Sequence, residues 1–138
     1  MSIIRILLVD DFTPWHDAVK RLLKVSPQLQ VIDTATNGLE AIGKAQQLQP
    51  DLVLLDIGLP GISGIEAAAH ILRVSPGSKI IFLTENDCPT IKEAALNTGA
   101  RSYVRKSDAA YLLLPAVEAV FNGKSGKRTQ PTQVCEYC

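Results

Sequence analysis

Residues 51–61, Asp51-Leu52-Val53-Leu54-Leu55-Asp56-Ile57-Gly58-Leu59-Pro60-Gly61, restrict this chain to a small set of folds. Four apolar residues in a row, Leu52 to Leu55, lie between Pro50-Asp51 and an exit rich in glycine and proline. A short, unbroken apolar run between turn signals reads as a strand covered on both faces, the habit of a parallel sheet. Asp56 closes the run. A carboxylate at that point is delivered to the carboxyl end of a central strand, where open α/β sheets place their chemistry.

The 138 residues make one domain, long enough to bury a core without disulfide or metal staples. With 46% hydrophobic and 20% charged residues, the expected class is a globular chain and not a disordered one. Net charge is zero but unevenly spread: residues 122–138 hold three Lys/Arg and one Glu, leaving 11 basic against 13 acidic residues in 1–121. Such a body carries no electrostatic footprint for nucleic acid. Apolar runs are far short of a membrane span, and Met1-Ser2-Ile3-Ile4-Arg5 does not begin a signal peptide. Three cysteines, two of them in the last four residues, make no disulfide framework. A cytoplasmic protein without a membrane partner is expected.

Residues 3–9 form another apolar run, broken only by Arg5, that ends at Asp10-Asp11. Thr13-Pro14 predicts a helix start, with Thr13 as N-cap and Pro14 at the first helical position. Trp15, Ala18, Val19, Leu22 and Leu23 recur at helical spacing until Ser26-Pro27. A second strand is expected over 29–35. Asn37-Gly38 then turns into a helix whose stripe is Ala41, Ile42, Ala45 and Leu48. After the central strand, Ser63-Gly64 opens a third helix carrying Ile65, Ala68, Ala69, Ile71 and Leu72. Residues 79–84 read as a fourth strand, 90–97 as a fourth helix capped by Gly99, and 101–106 as a fifth strand. Ser107-Asp108 caps a last helix with Leu112, Leu113, Val117, Val120 and Phe121. Pro115 predicts a kink in it, or else a start near Leu112.

Five strands alternating with five helices give a doubly wound α/β fold with a five-stranded parallel sheet, of flavodoxin-like order 2-1-3-4-5. In that order Asp10-Asp11 and Asp56 converge on one crevice, joined by Thr84 and Lys106 from the ends of strands four and five. Each residue has a plainer reading alone. Asp10-Asp11 could be a turn with helix N-terminal charge, Thr84 a helix cap, Tyr103 packing and Lys106 a solvated lysine. Their joint arrival around Asp56 favours a site.

Together, Leu8-Val9-Asp10-Asp11, Leu54-Leu55-Asp56 with Leu59-Pro60-Gly61, Leu83-Thr84 and Tyr103-Val104-Arg105-Lys106 resemble the receiver domain of bacterial two-component response regulators. The resemblance spans residues 3–121. Leu59-Pro60-Gly61-Ile62-Ser63-Gly64-Ile65-Glu66 and Leu112-Leu113-Leu114-Pro115-Ala116-Val117 are similar to the NarL/FixJ/LuxR-type subfamily, here expected without its helix-turn-helix. The domain division implied is a receiver over 1–122 and a flexible, basic tail or linker remnant over 123–138.

The resemblance implies that Asp56 accepts a phosphoryl group from a sensor histidine kinase or phosphotransfer protein. Asp11, Asp56 and the Gly58 carbonyl would bind Mg2+ or Mn2+, with Asp10 acting largely through water; oxygen-only ligands suit such an ion. Lys106 would place a point charge on the phosphoryl group and the Thr84 hydroxyl would donate to it. Tyr103 resembles the switch aromatic that turns inward as the threonine moves. The output face would be the fourth helix, fifth strand and fifth helix, through which members of the family often form homodimers. The chain would catalyse only its own phosphorylation and dephosphorylation, and would not bind nucleic acid directly.

Three positions beside the key side chains stand out. Glu85 follows Thr84 where a small residue is typical, and Gly58 and Asn86 flank the expected path of hydrolytic water. These three are expected to set the phosphate lifetime. His16 and His70 read as helix surface or packing residues, and Cys88 as a loop thiol. Cys135-Glu136-Tyr137-Cys138 has the spacing of a zinc or redox half-site but no second ligand pair. Among competing functions, a haloacid-dehalogenase-type phosphatase would need a second carboxylate where Asp56-Ile57-Gly58 has none. A flavin phosphate would be repelled by Asp10-Asp11. A receiver that binds partners without phosphorylation, or the receiver half of a LuxR-type transcription factor, are the alternatives within the family.

Overall fold

The computed structural model describes residues 2–122. The tail over 123–138, with Cys135 and Cys138, lies outside the described residues. Five strands alternate with five helices: β1 (Ile4–Val9), α1 (Thr13–Leu23), β2 (Leu29–Ala35), α2 (Gly38–Leu48), β3 (Leu52–Leu55), α3 (Gly64–Val74), β4 (Lys79–Thr84), α4 (Pro89–Leu96), β5 (Ser102–Arg105) and α5 (Ala109–Phe121). A 3₁₀ turn, Lys106–Asp108, joins β5 to α5. All pairings are parallel and the order is β2-β1-β3-β4-β5, as the alternation predicts. No helix among the described residues is long and apolar enough to cross a membrane.

The apolar runs form strands because successive side chains leave opposite faces, and both faces here are covered. Leu7, Val9, Val53, Leu55, Ile80 and Phe82 pack with α2, α3 and Ala95 of α4. Ile6, Leu8, Leu52, Leu54, Ile81 and Leu83 pack instead against α1 and α5. All four residues of β3 are fully buried, so its carboxyl end is held in the middle of the sheet. In the β1–β2 pair the register shifts between Ile6 and Leu7, giving β2 one extra residue at the sheet edge.

Several boundaries move from their expected places. The N-cap of α1 is Phe12, with no side-chain bond, and Thr13 is already helical. The rigid φ of Pro14 suits the second helical position as well as the first, so the proline did not specify the register. α3 buries Ala67 and leaves Ala69 exposed, and Leu112 of α5 is also exposed. α4 begins at Pro89, not at Thr90, and Asp108 stands at the N-cap of α5 without a side-chain bond. α5 runs from Ala109 through Pro115, so it does not begin near Leu112. The C-cap of α4 is Asn97 in the right-handed conformation and not Gly99. Gly99 lies two residues beyond it at φ 106°, a left-handed conformation that glycine tolerates, and donates to the Leu96 carbonyl.

Candidate functional site

Register brings the acidic groups together. Val9 pairs with Leu55, so the next residues, Asp10 and Asp56, leave adjacent strands side by side. The Asp56 N–H donates to the Val9 carbonyl at 3.1 Å, and the Asp10 N–H to that of Ala35 at 3.0 Å. Asp10 and Asp56 are buried and Asp11 is exposed at the rim; one carboxylate oxygen from each lies within 4.8 Å of the others. Asp56 Oδ1 accepts from the Ile57 N–H at 2.8 Å and from that of Gly58 at 3.4 Å. Asp10 Oδ1 accepts from the Phe12 N–H at 2.9 Å. One oxygen of each buried carboxylate is thus committed to the backbone, and the other faces the crevice.

Lys106, the residue after β5, fills the space between them. Its Nζ stands 2.6 Å from Asp10 Oδ2 and 3.4 Å from Asp56 Oδ2, with only 11% of the side chain exposed. The nearer contact is an ion pair without hydrogen-bond alignment, so Asp10 Oδ2 has no directed donor among the described residues. Burial pushes the Asp10 carboxyl above its usual range, against the lowering effect of Lys106 and the Phe12 N–H, with Asp56 adding repulsion. Burial alone would lower the Lys106 ammonium, but the Asp10 and Asp56 carboxylates outweigh it and the net shift is upward. Three carboxylates and one ammonium leave the crevice negative, with oxygen donors alone. That donor set suits a hard divalent cation.

Thr84 and Tyr103 are placed differently. Both bond to the loop after β4: Thr84 Oγ1 accepts from the Asn86 N–H at 3.4 Å, and the Tyr103 hydroxyl donates to the Asn86 carbonyl at 2.6 Å. Burial, then the negative charge of Asp87, pushes the Tyr103 phenol up to about 12, so it stays a donor. The Lys92 ammonium sits 5.7 Å from the ring centroid of Tyr103, and Arg105 reaches Asp87 at 3.6 Å. The Asn86 side chain accepts from the Cys88 N–H at 2.9 Å and so shapes the entry to α4. Glu85 and Gly58 are exposed, and a Cβ at Gly58 would meet nothing within 4 Å.

The family model for the response regulator receiver domain matches residues 6–118. The chain belongs to the response regulator receiver family of two-component systems. The receiver is 35% identical over 121 residues to the response regulator GacA of Pseudomonas viridiflava, covering 88% of this chain and 56% of that protein. It therefore spans a little over half the length of the curated relatives it matches. A LuxR-family response regulator from Aurantimonas sp. SI85-9A1 superposes with a TM-score of 0.83 at 34% identity, covering 88% of the receiver and 87% of that chain. The CheX-CheY-BeF3-Mg2+ complex from Borrelia burgdorferi superposes with a TM-score of 0.79 at 26% identity, covering 86% and 89%.

Two neighbours of the site escaped the sequence reading. His16, expected at the helix surface or in packing, is buried, and its Nε2–H donates to the Asp10 carbonyl at 2.8 Å. Trp15 is half-buried with its ring 5.3 Å from Lys106 Nζ. The signal was positional. The first turn of a helix that follows Asp10-Asp11 must lie at the same sheet edge as the site.

Proposed function

We propose that this receiver is a phosphoacceptor switch in which Asp56 takes a phosphoryl group from a phosphohistidine on a sensor kinase or phosphotransfer protein. The convergence of Asp10, Asp11 and Asp56 around the Lys106 ammonium carries this reading. Asp56 Oδ2 is the oxygen left free of backbone donors, and it forms the new P–O bond. The P–N bond of the donor breaks and its imidazole leaves with the electron pair. Lys106 Nζ, already 3.4 Å from Oδ2, meets the charge on the phosphoryl oxygens, while the Thr84 hydroxyl has its proton to donate to one of them.

The residues present fit Mg2+ or Mn2+. Asp11, Asp56 and the Gly58 carbonyl would hold the ion directly and Asp10 through water, and the bound ion would neutralise phosphoryl charge. The Borrelia CheY complex, described with BeF3 and Mg2+, supports that assignment for a related receiver. The output is a shift in the α4-β5-α5 surface, driven as Thr84 and Tyr103 change their hold on the loop at Asn86, for a protein partner or a second copy. The switch works in the cytoplasm and turns over no free substrate; it catalyses only its own phosphorylation and dephosphorylation. Glu85, Gly58 and Asn86 set the lifetime of the phosphate.

Mass spectrometry after incubation with Mg2+ and acetyl phosphate tests the reading. Wild type gains one phosphoryl group, and Asp56→Ala gains none. If wild type gains none but Glu85→Ala does, Glu85 obstructs the donor; if neither does, the receiver acts without phosphorylation. A second output follows from length. The GacA relatives are nearly twice as long as the matched region, which favours the receiver half of a LuxR-type regulator as the context for the same switch.

A further inference from the structure

Lys106 is the cation on which the transfer depends, and its flexible four-carbon stem gives it many alternatives. Two of its contacts are the Asp10 and Asp56 carboxylates, which are also the groups that a divalent cation would claim. The third is the Trp15 ring, whose centroid lies 5.3 Å from Nζ, inside the reach of a cation–π attraction. That contact differs in kind: the ring is neutral and offers nothing to a metal ion. The Trp15 indole N–H is buried without an acceptor among the described residues, so this side chain is not held there by a hydrogen bond. An unpaired buried donor is a cost that proteins usually avoid. The indole also packs against the core under α1 and α5, and the part of it that meets a charged group is the ring face beside the ammonium.

We propose that Trp15 is a positioning residue for Lys106, holding the ammonium between the Asp10 and Asp56 carboxylates by a contact that the metal-binding carboxylates cannot supply. Trp15 reaches this place because it lies in the first turn of α1, directly after the Asp10-Asp11 rim. Lys106 reaches it from the other flank, at the end of β5. The ring thus forms a wall between the first and last βα connections. It is the only tryptophan in the chain, and no other described aromatic ring is in cation–π contact with this lysine. The proposal rests on the phosphoacceptor reading of Asp56.

The test uses the full chain as wild type, Trp15→Phe and Trp15→Leu, with Trp15→Met as a second ringless variant if the leucine variant does not fold. The first readout needs neither metal nor phosphodonor: the NMR shift of the Lys106 ε-methylene protons. A ring face above them moves these protons upfield in wild type, less so in Trp15→Phe, and not at all in the ringless variants. The second readout is the rate of phosphorylation by acetyl phosphate across a range of Mg2+. The ringless variants slow roughly tenfold at saturating Mg2+, the rate equivalent of losing a desolvated cation–π contact. Trp15→Phe recovers to within about threefold of wild type, since phenylalanine retains a weaker ring face. The half-saturating Mg2+ concentration stays the same, because Trp15 offers the ion no ligand. Equal Lys106 shifts in all variants would overturn the proposal, as would a ringless variant phosphorylated at the wild-type rate. If neither wild type nor Glu85→Ala takes a phosphoryl group, the phosphoacceptor reading fails, and the functional role assigned to Trp15 falls with it. The shift series still tells whether the ring holds Lys106.

Discussion

The two flanks of the central strand are built to different standards. On one side, β3 is wholly buried, and α3 is opened by Ser63, whose side chain accepts from the Glu66 N–H, and buries Gly64, Ala67, Ala68 and Ile71. On the other, β5 buries only Val104, and α4 is eight residues long, has no side-chain cap and buries only Ala95. The acidic floor therefore stands on the well-anchored part, whereas the Asn86 loop, α4 and β5 are held by a few polar contacts at their edges. The proposed phosphoacceptor switch would need that division. The groups that define the reaction geometry must stay still, and the surface that reports it must be cheap to move.

The largest break in that contrast should come at the anchored end. A Cβ at Gly64 would overlap the Asp56 carbonyl oxygen and the Ile57 Cα, both backbone atoms that cannot swing aside. Gly64→Ala is expected to cost about 3 kcal/mol or more in urea unfolding. Gly58→Ala, which meets nothing within 4 Å, should stay within about 0.5 kcal/mol. Equal costs at the two glycines would show that the floor is softer than its packing implies. A core deletion comes next. Leu54→Ala in β3 removes a side chain with 0% exposure and should cost about 3 kcal/mol. Leu96→Ala in α4, already 37% exposed, should cost less than about 1 kcal/mol.

Asp10 sharpens the contrast, because it is a strained member of the anchored side. Its carboxyl is raised from 3.8 by burial, so the folded state holds that proton more tightly than the unfolded chain does. Stability therefore falls as pH rises from about the unfolded value through the raised one, and the loss persists at neutral pH. Asp10→Asn removes this penalty while Lys106 keeps Asp56 as a partner. The variant should melt at a higher temperature than wild type at pH 7, with the gap shrinking in acid as the wild-type carboxyl protonates. A variant less stable at pH 7 would mean that the Lys106 ion pair outweighs the burial of the charge.

What could be read from the sequence divides along the same line. β1, β3 and β4 were legible because both faces of the sheet are covered there, so each prints an apolar run that needs no partner to interpret. The half-exposed edge strands β2 and β5 carry polar residues and are placed by the turn signals and the alternation around them. The short crossovers and the alternation of elements then order the strands, which suffices to place Asp10, Asp11, Asp56 and Lys106 at one edge. Helix openings at Asn37 and Ser63 were legible for a local reason, since each side chain accepts from the N–H three residues on. Contacts that depend on how a helix is rotated over the sheet were not. The run Ala67-Ala68-Ala69 has no size contrast to show which alanine faces inward, and the structure leaves Ala69 out. Their position just after Asp10-Asp11 puts Trp15 and His16 at the edge of the site, but nothing near them in the chain names Lys106 or the Asp10 carbonyl as the partner. The preference of Lys106 for Asp10 over Asp56, 2.6 Å against 3.4 Å, depends on loop placement, which no local pattern encodes.

The smallest expected effect tests the lightly held side directly. Tyr103→Phe deletes the donor to the Asn86 carbonyl and leaves the ring against Phe82 and Lys92. A single neutral hydrogen bond at a half-buried site contributes about 1 kcal/mol, so global unfolding should change by no more than that. The informative quantity is where the loss falls. If α4 and the loop before it open independently of the floor, hydrogen exchange at their amides should quicken roughly fivefold while protection in β1 and β3 is unchanged. If exchange quickens by the same factor in β1 and β3, the loop opens only with the whole domain. The anchored and the movable sides would then be one cooperative unit, and phosphorylation would have to act on all of it.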